Sequence, residues 1–357
     1  MKRIIVSVTN DLTTDQRVEK VCNTLVNNGF DLLLIGRQLP NSKKINRNYK
    51  TKRLKLLFKR GFLFYAEYNC RLFFKLLFLK KDILLANDLD TLLPNYVISK
   101  FFKIPLVFDS HELFSELPSV QHRFSKKVWK FIEKLLLPKI KHTITVSDSI
   151  ANWYKKNYGI RASVIKNYPT LKNVPFTQQF EDYIIYQGAL NKGRGLKVLL
   201  QAMKNISLVK LIIAGDGPIK RELEVFISKN NLSKKVTLLG NIPPTELIKI
   251  TKRACLGVSL EEDLGLSYRY SLPNKLFDYI QAKIPVVVTN LPEIKSVVET
   301  YEVGEIITKH NPKNISQAIL KILQHKKIYY KGGLEKAAKE LVWEHQENTL
   351  ITIFRNI

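Results

Sequence analysis

Short apolar runs alternate with stretches of helical period along almost the whole chain, and this alternation constrains the fold more than any other feature. The runs at residues 4–8, 32–36, 82–86, 105–109 and 142–146 read as strands. Between them, helices are expected over 62–80, 91–102 and 125–140, and from Thr13 or Thr14 to about residue 28, where Gly29 ends the helix. A strand followed by a helix returns to the same sheet only in parallel, and a parallel sheet needs helices on both faces. The first half therefore predicts a doubly wound α/β sheet. Residues 37–60, with nine Lys and Arg between Lys43 and Arg60, read as a loop or a ragged strand. Ser147-Asp148 reads as a helix cap, and 164–167 as a short strand before Tyr168-Pro169. Polar residues close the strands at Asn87-Asp88 and Ser110-His111-Glu112, where a doubly wound sheet holds its ligands.

Residues 169–182 carry two prolines and little periodicity, and read as a linker. The pattern then restarts. Strands are expected at 183–187, 210–214, 236–239, 256–260, 286–289 and 304–307, with helices over 196–204, 220–230, 245–254, 274–283 and 314–324 and a largely helical tail over 333–357. The chain thus divides into a domain over 1–168 and a second of the same class over 169–340, with a final helix at about 341–357 expected to fold back on the first. The 357 residues suffice for two cores, and 45% hydrophobic with 25% charged residues is a globular composition.

Cys22, Cys70 and Cys255 lie far apart, which fits buried thiols in a reducing compartment. The basic start is followed by too short an apolar run for a secretory signal, and no stretch approaches the ~18 apolar residues of a membrane span. A cytoplasmic protein is expected. The net charge of +27 is uneven: residues 1–170 hold 31 Lys and Arg against 13 Asp and Glu, a net +18, leaving +9 for the remainder. Such a field favours an anionic surface, although Lys-rich composition throughout would give the same excess. Segments 62–81 and 125–141 mix aromatic, aliphatic and basic residues at helical spacing, the pattern of helices lying on a membrane surface or of ordinary helices with a solvated Lys face.

Residues 273–288, PNKLFDYIQAKIPVVV, carry the clearest chemistry. A loop brings Asn274 and Lys275 to the start of a helix, where a cation and free backbone N–H groups suit a phosphate. Asp278 follows about one turn later on the same face, where a carboxylate suits a sugar diol. The loop GALNKGRG, from Gly188 to Gly195, adds glycines that let backbone N–H groups approach phosphate oxygens, with Arg194 as a planar fork for a pyrophosphate. His111, with Asp109 and Glu112 as possible orienting partners, is either a ligand-facing imidazole or a helix cap. No two of His111, His122, His142, His310, His325 and His345 have ligand spacing. Asp88-Leu89-Asp90 could hold a divalent cation with a diphosphate, but reads better as a helix cap, so no metal is expected.

These residues resemble the GT-B glycosyltransferases, in particular family 4, which is retaining and uses nucleotide-sugars. The resemblance covers essentially the whole chain. It is strongest in residues 186–202, in 211–218 and in 273–288, where Pro-x-Lys-Leu-x-Asp-Tyr and Pro-Val-Val stand as in the family's motif. Asp15-Gln16-Arg17-Val18, Asn87-Asp88 and Asp109-Ser110-His111-Glu112 are similar to one bacterial subset. The resemblance implies two Rossmann-like domains facing each other across a cleft. It implies Arg194 and Lys275 on the donor pyrophosphate, Asp278 on the ribose and His111 against the transferred sugar. Leu239 and Gly240 would frame the base. Gly188, Gly195, Asp216, Tyr270, Asn274 and Leu276 complete the donor side, and Asp15, Arg17, Asn87, Asp88 and Glu112 stand on the acceptor side. The chain departs from the family at several points. Tyr270 stands where the first of two paired glutamates belongs, with Glu261 and Glu262 upstream; Asp278 replaces the second; Lys283 replaces a Gly. Either Lys192 or Arg194 could hold the pyrophosphate.

The expected activity is metal-independent transfer of a sugar, with retention, from a nucleoside-diphosphate donor to a glycan or polyprenyl-linked acceptor in surface polysaccharide synthesis. The expected location is the inner face of the cell membrane, on anionic lipid. No cofactor and no nucleic acid are expected. Two rivals are a nucleotide-sugar epimerase of the same fold, which needs more acid–base residues than the chain displays, and a nucleic-acid binder driven by charge, for which no known binding module is present.

Overall fold

Both halves of the alternation form parallel sheets in which the chain works outward from the middle in both directions. The computed structural model describes every residue except 14, 118, 119, 121–123, 173, 174 and 176–180. It divides into Met1–Asn167 with Gln346–Ile357, and Tyr168–His345.

The first unit runs β1 (Arg3–Asp11), α1 (Gln16–Asn27), β2 (Asp31–Gln38), β3 (Lys50–Lys55), α2 (Gly61–Phe78), β4 (Ile83–Asn87), α3 (Leu89–Phe102), β5 (Leu106–Ser110), α4 (Phe124–Leu136), β6 (His142–Thr145), α5 (Asp148–Tyr158) and β7 (Ala162–Val164). Its seven strands lie in the order β3-β2-β1-β4-β5-β6-β7. β1 pairs in parallel with both β2 and β4, Ile4 facing Leu32 on one side and Ile83 on the other. The order reverses there, so the crevice at the carboxyl ends of β1 and β4 is the place where such a sheet binds ligands. Every residue of β4 and β5 is buried because helices cover both faces.

The second unit repeats the plan with β8 (Glu181–Gln187), α6 (Leu196–Met203), β9 (Lys210–Ala214), α7 (Lys220–Lys229), β10 (Val236–Gly240), α8 (Pro244–Arg253), β11 (Ala254–Ser259), α9 (Leu266–Arg269), α10 (Asn274–Gln281), β12 (Val286–Val288), α11 (Pro292–Tyr301), β13 (Gly304–Ile306), α12 (Pro312–Tyr329) and α13 (Lys331–Glu340). Its order is β10-β9-β8-β11-β12-β13, with the reversal between β8 and β11. The last helix, α14 (Glu344–Arg355), returns to the first unit: Glu347 accepts a hydrogen bond from Thr24 of α1, and Phe354 packs edge-on against Phe30.

Several local expectations need correction. Asp15, not Thr13, caps α1, its Oδ1 accepting from the Val18 amide; Thr14 lies outside the described residues, as do His122 and much of the 169–182 linker. The basic segment 37–60 contains edge strand β3, whose Lys and Arg side chains discourage pairing with another chain. Helices α9 and α11 fill stretches for which the sequence predicts no helix or strand. α4 stops at Leu136, where Pro138 allows only a short 3-10 turn. Cys22 and Cys255 are buried but Cys70 is exposed.

Two details position the sites. Pro94 inside α3 removes the amide that would bond the Asp90 carbonyl, and Asn69 of α2 donates its side-chain amide to that carbonyl instead, at 2.9 Å. In the second unit, Gly257 of β11 leaves room for the Tyr279 ring, which would lie 2.5 Å from any Cβ there. The Tyr279 hydroxyl accepts from the Gln187 amide and donates to the Val258 carbonyl, which ties α10 to β8 and β11.

Lys283, just beyond α10, has φ 54, a left-handed conformation that a helix end normally gives to glycine. Lys283→Gly is expected to stabilise the second unit by about 0.5–1 kcal/mol, read as a higher midpoint in urea.

Candidate functional site

In the second unit the cations converge on one carboxylate. Strand β11 ends at Ser259, and two residues later Glu261 is fully buried. Its Oε1 meets Lys275 Nζ at 2.8 Å and Arg194 Nη1 at 3.4 Å, while its Oε2 accepts from the Ser259 hydroxyl at 2.7 Å. Burial pushes the Glu261 carboxyl up, but Lys275 and Arg194 outweigh it and hold the group below its ordinary value. Lys275, only 8% exposed, lies over the Tyr186 ring; Arg194 lies over Tyr268 and stays 25% exposed. Two cations on one carboxylate leave a net positive charge beside the β8–β11 reversal.

The glycine loops surround this group. Gly215, with φ 150, passes so close to the loop after β8 that a Cβ would sit 1.9 Å from the Gly188 carbonyl. Gly195, with φ 70, starts α6 against the Leu260 carbonyl, where a side chain would collide at 2.1 Å. Gly188 leaves the Lys275 side chain as its nearest neighbour. On the other flank Asp278 accepts from Gln187 Nε2 at 3.0 Å, and Gln187 is oriented in turn by the Thr251 hydroxyl.

In the first unit, His111 sits between two carboxylates. Its Nδ1 is 3.3 Å from Asp88 Oδ2 and its Nε2 3.4 Å from Asp109 Oδ2, while its amide donates to Asp88 Oδ1. Burial lowers the imidazole pKa, but Asp88 and Asp109 more than reverse this, and it rises to about 9. His111 is therefore an imidazolium at neutral pH, and it caps no helix. Asp109 is gripped by Arg17, which donates from Nε at 3.1 Å and Nη2 at 2.8 Å and spends Nη1 on the Ile165 carbonyl. Burial raises the Asp109 carboxyl, yet Arg17 and His111 bring it well below the usual carboxylate range. Asp88 reaches His111 by adopting φ 57, and its side chain does not cap α3.

Asp90 turns elsewhere: its Oδ2 accepts from the Thr9 hydroxyl at 2.6 Å. Burial, then the neighbouring Asp88 carboxylate, push it up to about 8. The folded protein keeps a proton there that the unfolded chain releases near pH 4, so its contribution to stability declines as pH rises through about 8. Between pH 6 and pH 9 the wild type is expected to lose about 2–3 kcal/mol that Asp90→Asn, always neutral, retains; urea melts at the two pH values read this out.

The residues expected on a site divide accordingly. The structure brings Arg194, Lys275 and Glu261 together, with Gly188, Gly195 and Asp278 nearby; Lys192 is exposed and outside the group. Tyr270 closes α9, so Glu261 is the carboxylate that meets the cations. Leu276 is fully buried, so its side chain is core and not donor-binding. Asp216 accepts from the Gly217 amide and pairs with Lys220; Leu239 and Gly240 end β10; Asn274 is exposed at the start of α10. Arg17 is 3% exposed and spent on Asp109 and Ile165, so it belongs to the scaffold instead of an acceptor surface, whereas half-buried Asp15 caps α1. Asn87 is buried and donates to the Ser7 carbonyl. Gln187 was missed, because a polar residue ending a strand carries no signal of its partner.

Residues 15–168 match the model described as Glycosyltransferase Family 4, and residues 169–340 the one described as Glycosyl transferases group 1. The chain is 26% identical to an uncharacterized glycosyltransferase of Methanocaldococcus jannaschii over 56% of this chain and 55% of that protein. It is 31% identical over 34% of this chain and 37% of the relative to the N-acetylgalactosamine-N,N'-diacetylbacillosaminyl-diphospho-undecaprenol 4-alpha-N-acetylgalactosaminyltransferase of Campylobacter jejuni. These matches span about half, or less, of the relatives' length. Among solved structures, sucrose-phosphate synthase of Thermosynechococcus elongatus superposes with a TM-score of 0.84 at 17% identity, over 100% of this chain and 99% of that one. The Anabaena protein HepE in complex with UDP-glucose gives 0.76 at 13% identity, with 100% of each chain covered. Two doubly wound sheets with these matches define the GT-B class of glycosyltransferases. Within that class the chain belongs to family 4.

Proposed function

We propose that the chain moves a sugar, with retention, from a nucleoside-diphosphate donor to a glycan or polyprenyl-linked acceptor, without a metal, in surface polysaccharide synthesis. The observation that carries this is the convergence of Lys275 and Arg194 on buried Glu261 beside two glycine loops. Departure of a nucleoside diphosphate develops negative charge, and two cations already held in place stabilise it without reorganising. In this reading Glu261 holds the cations, and Asp278, oriented by Gln187, accepts from the ribose hydroxyls. Leu239 and Gly240 border the base, and the imidazolium of His111 donates to a sugar oxygen. Retention rests on family membership, and the lipid-linked acceptor on the relative named for diphospho-undecaprenol.

Thermal-shift screening against UDP-, GDP-, ADP- and dTDP-sugars tests the donor. A ligand at 100 times its dissociation constant stabilises by about 2.7 kcal/mol, and no shift with any of the four would overturn the reading.

An inner-membrane location has its own support. Among the described residues no helix is long and apolar enough to cross a membrane. α3 packs between α2 and α4, and all three expose large apolar side chains: Phe74 and Phe78, Phe101, and Phe124 and Phe131. Exposed Arg71, Lys100, Lys127 and Lys134 share these helices, which suits anionic lipid. Vesicles containing anionic lipid are expected to carry the protein upward in a flotation gradient at low salt and to release it at high salt; failure to float at low salt would remove the membrane from the proposal.

A further inference from the structure

A cavity of about 500 Å³ opens in the first unit at the amino ends of β5 and β6, the opposite end of the sheet from Asp88 and His111. Lys100 and Lys103 line it from the end of α3, Lys139 and Lys141 from the turn before β6, and His142 from the first residue of β6. No Asp or Glu is on the lining, and among the described residues none of the four lysines pairs with a carboxylate. The carbonyls at the end of α3 attract cations and account for Lys100 and Lys103. They do not account for Lys141, or for a hollow with charges of one sign only, since like charges gathered around one space repel each other. Burial, and then Lys141, lower the His142 pKa, so the imidazole is neutral at neutral pH and the charge of the cavity is that of its lysines. Ile104, Leu106 and Ile140 add apolar surface, and Tyr96 a ring over which Lys100 lies at 5.5 Å.

We propose that this cavity binds a phosphate ester, and that the ester is the headgroup of an anionic phospholipid. Lysine ammonium groups meet phosphate oxygens as mobile point charges, and four of them around one hollow leave a charge that only an anion offsets. The volume is that of a small-molecule site and exceeds what a bare ion fills, and the apolar side chains offer contact to the organic part of an ester. A soluble phosphate ester and a lipid headgroup share this chemistry. The last turn of α3 distinguishes them: Phe101 and Phe102, both exposed, stand between Lys100 and Lys103, and Lys81 lies over the Phe102 ring at 3.7 Å. Exposed phenylalanines beside the lysines favour a phosphate that carries acyl chains. The inference rests on the membrane location proposed for the chain, and it supplies a saturable site in place of attraction spread over the basic surface.

Two double variants of the whole chain remove the same charge and test this: Lys103→Gln with Lys141→Gln in the cavity, and Lys127→Gln with Lys134→Gln on α4. All four lysines are exposed, so both variants keep the fold, and circular dichroism verifies this. In flotation with vesicles of phosphatidylglycerol in phosphatidylcholine, the cavity variant is expected to bind about tenfold more weakly than the α4 variant, whereas a diffuse field would weaken both alike. The His142 ring reports occupancy directly. Monomeric dihexanoyl phosphatidylglycerol is expected to move its NMR signals and to raise its pKa, because a phosphate beside the ring favours the imidazolium, and to do neither in the cavity variant. Glycerol 3-phosphate binding as tightly as the short-chain lipid would assign the site to a soluble ester and overturn the lipid assignment. The proposal is overturned if neither ester moves the His142 signals, or if the two double variants lose vesicle binding equally. Should the vesicles fail to bind the wild type while an ester moves the His142 signals, the membrane location falls and the phosphate site stands.

Discussion

Lys275→Ala is expected to lower sugar transfer at least 10²–10³-fold and to abolish stabilisation by nucleotide-sugars. It removes one of the two cations proposed to meet the departing diphosphate, and it leaves Glu261, fully buried, with Arg194 at 3.4 Å and the Ser259 hydroxyl. Breaking a buried ion pair from one side costs about 3–5 kcal/mol, so a drop of about 3 kcal/mol in the stability of the second unit is expected, moderated by Arg194. The pH dependence follows with a definite sign. In the wild type the Glu261 carboxyl is held below its ordinary value, so its contribution to stability is present above that value and is lost as pH falls through the lowered one. In Lys275→Ala burial dominates, the carboxyl rises, and the variant recovers stability on going from pH 7 to pH 5. Adding Glu261→Gln separates the two roles: the double variant regains stability at pH 7 while transfer stays low. If transfer returns with stability, Lys275 is a structural residue and the diphosphate site lies elsewhere. Stopped assays with a radiolabelled donor and urea melts supply both readouts.

Arg17→Met is expected to destabilise the first unit by about 3–5 kcal/mol. Asp109, 1% exposed, then keeps its charge with only His111 beside it, and the Ile165 carbonyl loses its donor. The bidentate bond spans α1 and the end of β5, and it sets the carboxylate on which the His111 ring rests, so its loss also frees that ring. Arg17→Met with Asp109→Asn removes both charges and is expected to recover more than half of the loss, because desolvation of an unpaired carboxylate is the dominant cost. Loss of the cooperative first-unit transition in a urea melt, or a midpoint shifted by that amount, is the expected reading; a cost below about 1 kcal/mol would mean that water reaches Asp109.

Local sequence carried much of this. Apolar runs of four to six residues, glycine at helix ends and Ser147 as the cap of α5 are written into neighbouring residues, since hydrogen bonding and burial over one or two turns depend on little else. The α10 start with Asn274, Lys275 and Asp278 was legible for the same reason. Arg17 and Asp109 are 92 residues apart, and nothing near either announces the other. In the sequence Arg17 stands on the acceptor side by resemblance, and Asp88-Leu89-Asp90 reads as a helix cap. The fold instead sends Asp88 to His111 and Asp90 to Thr9.

Local pattern is enough for the two parallel sheets, their doubly wound class and the two cations near helix starts, because period and turn chemistry are local. Which carboxylate those cations share is set by packing across the folded second unit. Tyr270 stands at the expected spacing, yet α9 turns the loop so that Glu261, 14 residues before Lys275, is the one buried beside it. Packing likewise decided that Arg17 is spent on Asp109. Burial makes unpaired charge costly, so side chains remote in sequence are selected as partners by proximity in the folded chain, which no local pattern encodes.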